Sequence, residues 1–158
     1  MGARCQCGKV TLHLPLTEPL WIHICHCTEC RRQSASAFGI SAVYPVFALP
    51  ESNKYLACWT KVYENGNSFH HYFCGGCGTR LVHTDGNSEM FVKGGCIDGL
   101  TKNMLRKATH IWTRSAIVDI PVDAEQYEQD YPDQETPWAS ALGAYLSTHA
   151  ASASSVTS

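Results

Sequence analysis

The chain has 158 residues, 44% apolar and only 16% charged, which fits one domain with a real core and excludes general disorder. Its formal net charge of −2 gives no broad electrostatic reason to expect nucleic acid or an anionic membrane as a partner. Nine cysteines would suit a disulfide scaffold in a secreted chain, but the count is odd and "MGARCQCGKV" lacks the apolar stretch of a secretory signal. No apolar run is long enough to span a bilayer, and the expectation is a cytoplasmic protein whose clustered cysteines hold metal.

The elements read mostly as strands. In chain order they are predicted at Lys9–Leu14, Leu20–Ile24, Phe38–Val43, Tyr55–Glu64, Ser68–Phe73, Arg80–His83, Met90–Lys93 and His110–Ser115, from short runs of branched and aromatic residues between turn residues. Asn65-Gly66 is a strong hairpin signal and Asp85-Gly86 a second. Helix is predicted only at Thr28–Ala35 and Ala124–Asp130. Residues 1–135 read as one zinc-binding domain, and 136–158 as an Ala- and Ser-rich tail, partly disordered and frayed from about His149.

Seven of the cysteines fall into two sets. Cys5 and Cys7 lie two apart, where an extended backbone puts both on one side, and Cys74 and Cys77 bracket a glycine pair that lets the chain turn tightly. Together they make a four-thiolate tetrahedral site whose role is structural; the bland alternative is two unrelated pairs of buried thiols.

The second set, in "ICHCTECRRQ", holds Cys25, Cys27 and Cys30 but no fourth thiol. Cys25 and Cys27 share a strand face and leave His26 pointing away. A three-thiolate zinc carries net charge −1 and keeps one coordination position open, as catalytic sites do. Three thiolates blunt the metal as a Lewis acid, so a soft thiol suits the open position better than a carbonyl. The alternative is a second closed site completed by Cys58, Cys96 or a histidine.

These residues also carry a resemblance. "CQCGKV", "CHCTECRR", "FCGGCGTRL", "GGCIDG" and "HIWTRS", in this order from about Cys5 to Pro132, resemble the glutathione-dependent formaldehyde-activating enzyme family, with which the centromere protein V domain is grouped. The resemblance implies a mainly β fold, a β-tent of small antiparallel sheets with few short helices stabilised by zinc and shared with methionine sulfoxide reductases of the B group. It implies two zinc ions, a structural one at Cys5, Cys7, Cys74 and Cys77 and a catalytic one at Cys25, Cys27 and Cys30. The implied activity is of the carbon–sulfur lyase type, joining formaldehyde and glutathione as S-hydroxymethylglutathione. Two departures bear on substrate: Ala35 stands where the family commonly has glycine, and Cys96 where it more often has a small non-thiol residue.

The function expected is therefore a zinc enzyme acting on glutathione or another small thiol adduct, with a homodimer allowed. Arg31 and Arg32 are candidates to receive a substrate carboxylate, against a solvated basic turn. Asp98 and His83 are candidates for proton transfer. Trp21, Trp59 and Trp112 read as core anchors. Two rival readings are a non-catalytic zinc module that binds a protein or chromatin, and a thiol-dependent reductase using Cys58 or Cys96.

Overall fold

The computed structural model describes residues 1–132 and 136–149. Within them nine strands form two sheets. β1 (Gly2–Arg4) and β2 (Thr11–His13) pair antiparallel as a small sheet. The other seven are β3 (Trp21–Cys25), β4 (Gly39–Pro45), β5 (Leu56–Val62), β6 (Ser68–Cys74), β7 (Arg80–Thr84), β8 (Glu89–Lys93) and β9 (Thr109–Ile111). They lie in the order β5-β6-β7-β8-β4-β3-β9. All neighbours are antiparallel except β3 and β9, so the expected mainly β architecture is present as one broad, almost wholly antiparallel sheet beside one small antiparallel one.

The hairpin signals work as the turn chemistry requires: Asn65-Gly66 joins β5 to β6 with Gly66 at φ +84°, and Asp85-Gly86 joins β7 to β8. Successive strand residues face opposite sides of the large sheet. One face carries Ile22, Ile24, Ala42, Tyr44, Val82 and Val92 into the main core, against Ala3, Val10 and Leu12 beside the small sheet. The opposite face presents His23 and Cys25 of β3, Phe91 of β8, His83 of β7 and His71 of β6, aligned by the registers His83↔Phe91 and His71↔His83. This second face holds the candidate site.

Among the described residues three α-helices accompany the strands: α1 (Thr28–Ser34), α2 (Lys102–Arg106) and α3 (Ala139–His149). The segment expected to be helical at Ala124–Asp130 is extended instead. Its backbone pairs with β9 through His110 N–H to Glu125 O at 2.8 Å and Tyr127 N–H to His110 O at 2.9 Å. β9 is an edge strand with free backbone groups, and satisfying them outweighs the weak helical preference of a lone seven-residue segment.

The tail reading also changes. Trp138 is 4% exposed and packs with Leu142 of α3, Val43 and Phe91 in a second apolar cluster on the site face. Fraying was expected from about His149; His149 itself ends α3, and residues 150–158 lie outside the described residues. Trp59, expected in the core, is 50% exposed on the outermost strand β5, where it stacks on His71 at 5.1 Å.

Candidate metal centres and cleft

Cys5 follows β1 directly, and Cys5–Gly8 is a tight turn closed by Gly8 N–H to Cys5 O at 3.0 Å, rather than the extended segment expected. Cys74 ends β6, and Cys77 sits in the turn before β7. Their four sulfurs all lie within 4.8 Å of one another, with Cys5 Sγ 3.5 Å from Cys7 Sγ and Cys7 Sγ 3.7 Å from Cys74 Sγ. Tetrahedral zinc with Zn–S near 2.3 Å places its sulfurs about 3.8 Å apart, so the spacing fits. Two of the sulfurs, those of Cys5 and Cys77, are also prepared for negative charge. Val10 N–H donates to Cys5 Sγ at 3.3 Å, and the Thr79 hydroxyl, 3.2 Å from Cys77 Sγ, brings that thiol down to about 5.

The second cluster is built by the passage from β3 into α1. Cys25 ends β3, Cys27 is the N-cap of α1 with its sulfur accepting from Cys30 N–H at 3.4 Å, and Cys30 lies in the first helical turn. Gly39 at the start of β4 eases this approach: a Cβ there would stand 3.1 Å from Cys30 Cβ, and helix or strand would have to yield by a few tenths of an ångström. The three sulfurs lie within 4.8 Å of one another. Cys27 is the thiol favoured to ionise, since Cys25 and Cys30 donate to its sulfur together with backbone N–H groups; hydrogen bonds with Cys27 and Cys30, and then burial, push Cys25 up. Among the described residues no fourth Cys, His, Asp or Glu joins this set. His26 is buried and turned elsewhere, with Nε2 3.0 Å from His110 Nδ1.

The three thiols open into a cleft of about 940 Å³. Its walls are aromatic, including Phe69, Phe91, Trp112, Tyr131 and Trp138. Trp112 holds a left-handed backbone at φ +58°, a strained conformation for a bulky residue, with the Arg114 guanidinium 5.0 Å from its ring. Three histidines, His23, His71 and His83, also face it. Burial keeps them neutral, with His23 and His71 near 4 and His83 well below its ordinary value. His23 Nδ1, His83 Nδ1 and both His71 ring nitrogens are buried without a hydrogen-bond partner among the described residues. Of these three, sequence reading singled out only His83; the signal for the others was their in-register position beside the thiols, which strand pairing alone reveals.

Other expected residues lie elsewhere. Arg31 and Arg32 do not line the cleft, and Arg32 is exposed and paired with Glu29 at 3.1 Å. Asp98 pairs with Arg4 at 3.1 Å near the four-sulfur cluster. Neither Cys58 nor Cys96 lines the cleft; Cys58 is exposed on β5 and Cys96 donates to Arg80 O at 3.0 Å. Among the described residues no helix is long and apolar enough to cross a membrane.

A mainly β domain with a four-sulfur cluster on one side and a three-sulfur cluster at the floor of a cleft defines a cysteine-rich domain suited to soft metals. Residues 1–115 match the family model of the glutathione-dependent formaldehyde-activating enzyme, and the chain belongs to that family. No curated protein matches it. The matched region contains all nine strands and both cysteine clusters, whereas Tyr131 and Trp138, which wall the cleft, lie beyond it.

Proposed function

We propose that the chain is a zinc-dependent enzyme of carbon–sulfur bond chemistry, in the cytoplasm, acting on glutathione or a related thiol and its adducts. The carrying observation is the trio of Cys25, Cys27 and Cys30 sulfurs at the cleft floor without a fourth protein ligand among the described residues. In this reading Cys5, Cys7, Cys74 and Cys77 hold a structural zinc, while Cys25, Cys27 and Cys30 hold a catalytic one. Zinc bound by three thiolates supplies a position where a substrate thiol is held deprotonated and nucleophilic near neutral pH.

The chain's own residues do the rest. In the direction of adduct formation the substrate sulfur bonds to the carbonyl carbon, the carbon–oxygen π bond opens, and the oxygen takes the proton that the thiol gave up. His23, His71 and His83 line the cleft and are held neutral, so an imidazole there can pass that proton between sulfur and oxygen. The aromatic walls limit water, which would otherwise compete for the carbonyl. The reverse reaction uses the same groups in the opposite order.

The test is X-ray absorption at the zinc edge of protein purified without chelator. Elemental analysis is expected to give about two zinc ions per chain, and added glutathione to bring one further sulfur neighbour at about 2.3 Å to one of them. Unchanged coordination with glutathione and its adducts would overturn the reading.

A further inference from the structure

Beside the thiol cleft lies a second hollow of about 620 Å³, lined among others by Gln33, Phe38, Gly39, Arg80 and Lys93. Gln33 lines both spaces, so they adjoin across the last turn of α1. Arg80 opens β7 and Lys93 closes β8, and both side chains are only partly exposed. Neither enters an ion pair among the described residues, where the pairs are Arg4–Asp98, Arg32–Glu29 and Lys61–Glu29. Among the described residues, Arg80 Nε and Nη2 are buried without an acceptor, and Gln33 Oε1 is buried without a donor. The two cations repel each other; the thiols of Cys25, Cys27 and Cys30 partly offset Lys93, and the Cys58 thiol partly offsets Arg80, but no carboxylate reaches either among the described residues.

Two neighbouring, partly desolvated cations without a carboxylate are unfavourable unless an anion joins them. A guanidinium presents a planar fork that matches a carboxylate, and an ammonium adds a mobile point charge. The hollow also has apolar walls in Phe38, Ile40 and Cys96, which suit the body of a small organic acid better than a bare inorganic ion.

We propose that Arg80 and Lys93 form a carboxylate-binding subsite that anchors the thiol substrate while its sulfur reaches Cys25, Cys27 and Cys30 past Gln33. The identity of the ligand rests on the proposed function; the subsite itself rests on the unpaired cations. It assigns carboxylate recognition to residues distant in sequence from the cysteine cluster, in place of Arg31 and Arg32. The carbon electrophile is left facing the aromatic cleft.

The test is calorimetric titration of the full-length, zinc-replete protein with S-methylglutathione and with its dimethyl ester. Both lack a free thiol, so the comparison does not depend on sulfur binding to zinc. The acid is expected to bind at least tenfold more tightly than the ester. Arg80→Gln and Lys93→Gln should each weaken the acid at least fivefold and leave the ester unchanged, while Arg80→Lys should recover part of the loss. Equal affinity for acid and ester, no binding of the acid, variants without effect, or inorganic phosphate binding more tightly than the acid would overturn the proposal. If Arg80→Gln does not fold, the wild-type acid-to-ester ratio and Lys93→Gln decide it. An acid preference that depends on Arg80, in protein whose zinc gains no sulfur from glutathione, would keep the subsite and refute the proposed thiol chemistry.

Discussion

His26 Nε2 stands 3.0 Å from His110 Nδ1, with both rings buried and nearly parallel at 20°. The residue between Cys25 and Cys27 is thereby committed to holding β9 against the end of β3, and is withdrawn from the thiol cluster. His26→Leu should therefore leave the zinc content unchanged and destabilise the fold by roughly 1–3 kcal/mol, because His110 loses its buried partner. Elemental analysis with urea denaturation checks both; loss of one zinc would make His26 a ligand after all.

The two clusters should respond differently to the same substitution. Cys74 is fully buried in the main core and its cluster joins the start of the chain to the β6–β7 turn, so Cys74→Ser is expected to give insoluble or poorly folded protein. Structural zinc binding is coupled to folding and worth roughly 10–16 kcal/mol. Cys27→Ser, at the cleft floor, should keep the native circular dichroism spectrum and lose thiol binding. Equal unfolding of the two variants would place both clusters in the same structural role.

Ala35 ends α1 in the left-handed conformation at φ +49°, donating its N–H to the Arg31 and Arg32 carbonyls. Glycine adopts this conformation without the Cβ penalty, which is roughly 1–2 kcal/mol. Ala35→Gly is expected to stabilise the protein by about 1 kcal/mol in urea denaturation. A loss of stability would mean that unfolded-state entropy outweighs the strain.

Acid should weaken the fold through the cleft histidines. Burial, followed by the charges of Arg80, Lys93, Lys61 and His70, holds His71 near 4, and burial with Lys93, His23, His71 and Arg80 holds His83 well below its ordinary value. The unfolded chain binds their protons below about 6.5 and the folded chain does not. The stabilising contribution is thus complete above pH 6.5 and falls as pH drops toward 4, by about 1.4 kcal/mol per pH unit for each histidine. His71→Gln should remove its share of that slope between pH 4.5 and 6 in urea denaturation; an unchanged slope would refute the assignment.

What could be read before the structure follows the range of the interactions. The Cys25-x-Cys27-x-x-Cys30 spacing is set by a strand end and one helical turn, so local geometry was enough to bring those sulfurs together. Alternation marked most strands, but β1 has only three residues and exists through its pairing with β2. The aromatic cover and the parallel pairing of β3 with β9 depend on contacts across the sheet, which no periodicity encodes. Trp59 illustrates the limit: its size argues for the core, and only its place on an edge strand explains why it is half exposed. Arg31 and Arg32 are near the thiols in sequence, yet the turn of α1 leads them away from the cleft that Arg114 and Lys61 enter from distant strands and loops.

The four-sulfur cluster has a consequence for biosynthesis. Cys7 and Cys74 are 67 positions apart, so at roughly 5–20 residues per second the first cysteine pair leaves the ribosome several seconds before its partners. During that interval the nascent chain carries a half-formed thiol pair, followed by the complete Cys25, Cys27 and Cys30 trio. The trio is translated first, so metal supplied during translation meets it before the cluster that ties the two sheets together can close.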